Sequence, residues 1–342
     1  MRRLFCFFAV TCMLMMIASG ALAAELPNLT RYNDVLKYIQ EEKPMSLDMG
    51  ETKFSIDQLR KLKSAMPEGS EFNFTVWFRQ AWIDSRGDII DLDNSQKTTS
   101  EAELLWLLEN MPNVTTVNLF NHREFSNEFM VPLMEQYPNV TFGWQVRVSS
   151  QYVVRSDATA FSTNKESSGK PDLTEKHFEN LKYVPGLKAI DIGHNAVKDI
   201  SWLRYFPELN ILILADNQIS DISPLADLHE LEYLEIFMNY VSDWSPLAEL
   251  ENLRDLNVSY QLGYAFKDVD LSVLDGLNLE RFWCNRNGVS EEDQQRFKDA
   301  NPETLCDFTG SHSTDHDWRK SYKYDQFRVM FRNRVWAPFN RP

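Results

Sequence analysis

Apolar residues recur through the middle of the chain in a fixed phrase. Leu187, Ile190, Ile192, Val197, Ile200 and Leu203 are followed by Leu209, Leu212, Leu214, Ile219, Ile222 and Leu225, and then by Leu231, Leu234, Ile236, Val241, Trp244 and Leu247. Each copy carries an asparagine at one place, and Asn195, Asn217 and Asn239 set a period of 22 residues. The Leu-x-x-Leu-x-Leu core predicts a short strand with alternate side chains turned inward. The asparagine after it can hydrogen-bond the backbone where the chain turns, since buried backbone groups need partners. Asn195, Asn217, Asn239 and Asn287 are therefore expected to form a ladder. Pro224 and Pro246 predict short turns or 3₁₀ pieces on the far side, because proline interrupts a helix. One such coil buries too little apolar surface to offset the entropy of ordering it, so several must stack. The expected fold class is an α/β solenoid: a parallel sheet on the concave face, helices or 3₁₀ turns on the convex face, and a cap at each end.

The flanks continue the pattern less regularly. Leu253, Leu256 and Val258 begin another coil, but Gln261 stands where the asparagine should be. The next good copy starts at Leu279, which leaves an insertion within Leu262 to Asp270. Upstream, Met111-Pro112-Asn113-Val114 and Tyr137-Pro138-Asn139-Val140 open longer units preceded by helical stretches, Glu101 to Asn110 and Glu124 to Gln136. Nearer the start, Asn33 to Glu42 and Ile56 to Lys63 read as helices. Phe72-x-Phe74-x-Val76-x-Phe78 and Ile89-Ile90-x-Leu92 read as two strands about a turn at Asp84 to Asp88. The expected organisation is a signal peptide at 1–24, a cap at 25–100, irregular longer repeats at 101–154, a surface loop at 155–172, regular repeats at 173–308 and a basic cap or tail at 309–342.

The first residues change the picture of compartment. Arg2-Arg3, an apolar run from Leu4 to Ile17 and Ala21-Leu22-Ala23-Ala24 have the form of an export signal with an Ala-x-Ala cleavage site. The expectation is a secreted protein without a transmembrane anchor. The chain has 35 basic and 50 acidic residues and a formal charge of −15, which disfavours nucleic acid as a partner. Past the signal only Cys284 and Cys306 remain, both on strands expected to be neighbours, so a disulfide and two buried thiols are both open.

With these residues in hand, the chain resembles exported bacterial leucine-rich repeat proteins. The 22-residue units with Asp221-Ile222-Ser223-Pro224-Leu225 look like the internalin type. The wider layout is similar to secreted repeat proteins of gut clostridia, on Val153 to Thr159, Ile213-Leu214-Ala215-Asp216 and Trp318-Arg319. The resemblance implies the solenoid and a binding role on the concave face. It implies no cofactor and no reaction.

If the strands stack in register, their outward side chains form columns. Asp191, Ile213, Glu235, Asn257 and Trp283 make the central one, flanked by Tyr233 and Arg281 on one side and Phe237 on the other. Met238 and Tyr260 fall where strands turn. Ile213, Tyr233, Glu235, Phe237, Met238, Asn257, Tyr260, Arg281 and Trp283 are thus the candidate binding residues, since aromatics, Met and Arg are enriched at interface centres. Replacing Phe237 and Trp283 by Ala is expected to abolish partner binding and leave the thermal midpoint nearly unchanged. The bland alternative folds Phe237 and Met238 over the turn or covers them with the C-terminal tail. That tail, from Trp318, holds seven basic residues and one acid, Asp325, with Tyr324, Phe327, Phe331 and Val335 near helical spacing. It reads either as a cap helix or as a basic amphipathic element for an anionic envelope.

Chemistry is sparse. Asp191 and Glu235, two strands apart, could mimic the paired carboxylates of an inverting glycosidase, but nothing in the sequence raises one pKa. His312, Asp315, His316 and Asp317 lie in what reads as a flexible polar loop and make no four-ligand set. No catalytic residue and no metal is expected. The function expected is a secreted, non-enzymatic, protein-binding repeat protein, with a cell-envelope or polysaccharide ligand as the alternative.

Overall fold

The computed structural model describes residues 31–94, 98–163, 173–263 and 270–340. The expected export signal, the core of the expected 155–172 loop (164–172) and most of the expected insertion (264–269) lie outside the described residues. Two units are distinguished, one up to Trp144 and one from Gln145 onward.

The first unit opens with α1 (Tyr32–Glu42), β1 (Ser46–Thr52), α2 (Ile56–Ala65), β2 (Glu71–Phe78) and β3 (Ala81–Asp84). Helix α2 starts on a capping box, Ser55 with Gln58. Strand β2 alternates as the sequence requires, burying Phe72, Phe74, Val76 and Phe78. Its partners correct the expected strand pair. β2 pairs parallel with β1 and turns back antiparallel into β3, with Trp77 opposite Trp82. The turn is Arg79-Gln80, both at positive φ, as a two-residue hairpin of matching twist requires. Neither residue is Asn or Gly, so the turn carries no sequence signal. β4 (Ile89–Asp91) instead pairs parallel with β5 (Thr116–Leu119). Between them lies α3 (Glu101–Glu109), capped by Ser100 and Glu103, and after them α4 (Asn127–Gln136), as the helical stretches predict. β6 (Thr141–Arg147) then pairs with β5.

In the second unit, residues Gln145 to Arg147 of β6 pair antiparallel with β7 (Val153–Arg155). The chain then forms a seven-stranded parallel sheet of β8 (Ala160–Ser162), β9 (Ala189–Asp191), β10 (Ile211–Ile213), β11 (Tyr233–Glu235), β12 (Asp255–Asn257), β13 (Arg281–Trp283) and β14 (Leu305–Asp307), in chain order across the sheet. Expecting a surface loop from 155 was wrong over its described part. Ser156, Ala158, Ala160, Phe161, Ser162 and Thr163 are buried, and β8 begins the sheet. Its flanking polar residues hid a strand that the 22-residue phrase does not include.

Short helices return the chain along the convex side: α5 (Glu175–Phe178), then 3₁₀ pieces at Ser201–Tyr205, Ser223–Leu225, Ser245–Glu249 and Leu271–Leu274, then α6 (Glu291–Ala300). An aspartate sets each 3₁₀ start. Asp199, Asp221, Asp243 and Asp270 accept from the backbone N–H of Ser201, Ser223, Ser245 and Ser272 at 2.8–2.9 Å. Hydrogen bonds from the side chain and backbone of the same serines hold the Asp221, Asp243 and Asp270 carboxyls below their ordinary values.

The amide ladder runs where each strand ends. Asn239 Nδ2 donates to Leu214 O at 3.0 Å and Ile236 O at 3.1 Å, and its Oδ1 accepts from Ile219 N at 3.0 Å. Asn217 makes the same set to Ile192 O, Leu214 O and Val197 N. Asn195 donates to Ile192 O, and Asn287 bridges Val258 O and the N–H of Gln261. Gln261 is no gap: its amide reaches Ile236 O and Val258 O and accepts from Val241 N, so the longer side chain serves the same rung. The residue before each rung is left-handed, His194, Asp216, Met238, Tyr260 and Arg286 at φ 53–61°. Replacing Asn239 by Ala strips partners from buried backbone groups and should lower unfolding free energy by about 1–3 kcal/mol. Asn252→Ala, at an exposed amide bonded to His229 O, should change it by less than about 0.5 kcal/mol. Urea melts that rank the two equally would refute the ladder's role.

Candidate functional site

The strand register builds the expected columns. Asp191, Ile213, Glu235, Asn257 and Trp283 face one another across β9 to β13, with Ala189, Ile211, Tyr233, Asp255 and Arg281 beside them. This face is not open. The chain from Gly310 onward crosses it, and α7 (Tyr322–Asn333) lies in it with Lys323, Phe327, Met330 and Phe331 buried. Ala160, Ala189, Ile211, Ile213, Ala215, Tyr233, Phe237 and Trp283 form one cluster with Trp318, Phe327, Met330 and Phe331. Of the candidate binding residues, Ile213, Tyr233, Glu235, Phe237, Asn257 and Trp283 are buried. Met238, Tyr260 and Arg281 are half-buried at its rim. The expectation of a solvent-facing strip is corrected: these residues are the floor beneath the C-terminal segment.

Specific polar contacts accompany the packing. Gly310 N donates to Asn285 Oδ1 at 2.9 Å. A Cβ on Gly310 would stand 2.5 Å from the Asn285 amide, so only glycine lets the chain pass there. The 311–317 stretch, expected as a flexible loop, is bound to the sheet. Asn257 Nδ2 donates to Ser313 O at 2.8 Å, Trp283 Nε1 to Asp315 O at 2.8 Å and Tyr260 Oη to Ser311 O at 3.3 Å. His316 Nδ1 lies 3.0 Å from Asp307 Oδ1, and that carboxylate holds the imidazole pKa above its usual value. Among the described residues no group of His, Cys, Asp and Glu side chains is arranged to hold a metal.

Trp318 is fully buried. Its Nε1 donates to Glu235 Oε1 at 2.7 Å, and Tyr233 Oη donates to the same oxygen. Its ring packs at a tilt against Tyr233 and Trp283, with centroids 5.6 and 5.2 Å away, and the Arg281 guanidinium sits 4.1 Å over it. Asp255, also fully buried, takes both Arg281 Nε and Lys323 Nζ, and Lys323 further reaches Glu280 Oε2 at 3.0 Å. Burial works to lower the Lys323 pKa, but the Asp255 carboxylate, with Glu280, holds it above the ordinary value. The sheet edge is used too: Thr159 N and Ala160 N of the β8 edge donate to Arg334 O at 3.2 and 3.3 Å.

Burial raises the carboxyls of both Asp191 and Glu235, a shift the sequence did not signal. Glu235 is spent on Tyr233 and Trp318, and Asp191 on Ser162 Oγ at 3.1 Å and Gly193 N at 3.2 Å. Cys284 and Cys306 are free thiols, and the ladder sets Cys306 across from Phe282 rather than Cys284. Burial pushes their pKa values up to about 12 and about 11, which disfavours the thiolate of each.

Sequence reasoning missed Lys323, Met330 and Asp255 as site residues. The stripe Lys323, Phe327, Met330, Phe331 has i, i+4, i+7, i+8 spacing, which was the available signal. Val335, expected near helical spacing with Tyr324, Phe327 and Phe331, lies past the helix, which ends at Asn333 before a left-handed Arg334, and is 60% exposed. A helix of this length is marginal alone, so its partners had to be known.

Residues 207–252 match a family model described as leucine-rich repeats, two copies. No curated protein matches the chain. Among solved structures it is similar to an internalin, inlF, from Listeria monocytogenes, at 18% identity over 80% of this chain and 64% of that one, with a TM-score of 0.37. It is similar to internalin C2 of that species at 14% identity, covering 76% of this chain and 87% of that one, TM-score 0.26. It is also similar to the functional domain of InlJ from Listeria monocytogenes at 15% identity, covering 71% and 49%, TM-score 0.30. The chain thus spans 64% of the inlF chain. The fold is a leucine-rich repeat solenoid, and at these scores no residue role passes from one protein to the other.

Because Phe237 and Trp283 are packed, their replacement by Ala should each cost about 3–5 kcal/mol and lower the thermal midpoint. An unchanged midpoint would restore the open-face expectation. Glu235 supplies a pH test. Its folded pKa lies above the ordinary 4.5, so the folded state binds this proton more tightly than the unfolded one. Its contribution to stability is full at low pH and is withdrawn as pH rises through the raised value. Glu235→Gln keeps an acceptor for Tyr233 and Trp318, and should lose less stability than the parent between acid and neutral pH. Parallel urea midpoint curves for the two would contradict the assignment.

Proposed function

We propose that this is an exported, non-enzymatic, protein-binding repeat protein whose partner meets the concave side as closed by its own C-terminal segment. The observation that carries this reading is the division of α7: Lys323, Phe327, Met330 and Phe331 turn into the sheet, and Arg328, Val329 and Arg332 turn outward with Arg319 and Lys320. A ligand that instead displaced the segment would have to replace four buried apolar side chains, Trp318, Phe327, Met330 and Phe331, each worth about 1.5–3 kcal/mol. It would also leave Asp255 without Lys323, and breaking a buried pair costs about 3–5 kcal/mol. Recognition of the closed surface avoids both penalties. The strand residues then act by fixing the segment's position.

The absence of an enzymatic role is supported by Glu235 lying beneath this segment, bonded to Tyr233 and Trp318, and by half-buried Asp191 being bonded to Ser162 and Gly193. The basic outer row also favours a second reading, an anionic envelope or polysaccharide ligand on the same side.

Attaching polyethylene glycol to Val329→Cys, at a position 52% exposed on the outer face, should block capture of the partner from host protein extracts. The same label on Tyr205→Cys, exposed on the convex side, should not. The parent chain treated with the same reagent measures any labelling of the native thiols, buried Cys284 and half-buried Cys306. Capture that survives the Val329 label would remove this face from consideration. Retention by purified wall or glycan alone would favour the second reading.

A further inference from the structure

We infer that the outer face of the docked C-terminal helix is a docking surface for a short acidic polypeptide segment. The inference rests on the reading above and names the partner's chemistry. The chain is strongly acidic, at −15, yet this face is basic. Lys320 pairs with Asp317 at 2.7 Å and Lys323 is consumed in the floor. Arg319, Arg328 and Arg332 are exposed and make no direct ion pair among the described residues, and of the three Arg319 also acts through space on the Asp191 and Glu235 carboxyls below. Two of them are gathered on one ring: the Arg319 and Arg328 guanidiniums stand 5.8 and 5.7 Å from the Tyr324 centroid. Arg332 follows Arg328 by one helical turn. Exposed guanidiniums without a bonded carboxylate suit bidentate acceptors.

Three features select a polypeptide among anions. Val329 and Val335 are exposed within the basic row, at 52% and 60%, and an acidic segment with apolar side chains satisfies both kinds of position. A bilayer needs a wide apolar face, and this helix has turned its own, Phe327, Met330 and Phe331, into the sheet. A long polyanion would extend over many screening lengths of about 8 Å and feel the whole acidic chain, whereas a short segment feels mainly the local arginines.

The test uses the full exported chain. Its binding to a short Glu/Leu peptide is measured by titration calorimetry beside the Gln/Leu counterpart, polyphosphate, and vesicles of phosphatidylcholine with phosphatidylglycerol. The expected result is binding of the Glu/Leu peptide alone, weakening with added salt. The triple variant R319E/R328E/R332E should bind it about tenfold more weakly or worse. These are exposed positions, and an unchanged thermal midpoint checks that the segment stays docked. Equal binding of the Glu and Gln peptides, tighter binding of polyphosphate or vesicles, or a variant that binds like the parent would each overturn the inference. Failure here with capture still blocked by the Val329 label would reject the partner's chemistry and leave the recognition face standing. Failure of both would remove the face.

Discussion

Asp255 sits in the middle of the concave sheet with no exposure to water, and two cations come to it. Arg281 arrives along the sheet from the next strand, but Lys323 comes from a helix sixty-eight residues later. An ionised carboxylate with half its hydrogen bonds missing is one of the costlier things a protein can bury. The concave face is therefore unfinished without its C-terminal segment. The same need repeats at Glu235, which receives Trp318, and at Asn257 and Asn285, which receive the backbone of the crossing chain. Apolar packing of Phe327, Met330 and Phe331 provides most of the driving force. These polar contacts decide where along the sheet the helix stops.

The solenoid beneath solves a similar problem in a periodic way. Each coil must end a strand and turn, which leaves backbone groups pointing at the coils before and after. A side-chain amide, donor and acceptor together, closes both gaps at once, and the left-handed residue before it sets the turn. That solution tolerates variation as long as the amide persists, as Gln261 demonstrates. It also makes the concave columns rigid enough to accept one particular segment, because strand positions are held by bonds on either side of every rung.

The fold was legible in the sequence wherever its cause was local or periodic. Asn195, Asn217 and Asn239 set the coil length, the Leu-x-x-Leu-x-Leu phrase set the strands, and Ser55–Gln58 and Ser100–Glu103 marked helix starts. The columns of the concave face followed from the register alone. Legibility failed where a non-local partner decided. The hairpin of β2 pairs with Ala81–Asp84 through an Arg-Gln turn that carries no turn signature, and Ile89–Asp91 went to a parallel neighbour. Ala160–Ser162 became the sheet's first strand although it lies outside the repeat phrase.

The candidate site divides in the same way. Sequence by itself determined which side chains share the inner curve, since strand periodicity and repeat length are properties of consecutive residues. It also determined that the tail is amphipathic and basic. Whether that curve faces water, and whether Asp191 and Glu235 hold shifted protons, was decided only in three dimensions. Burial depends on what segment comes to rest on a surface, and the desolvation that moves a carboxyl's pKa comes from atoms distant in the chain.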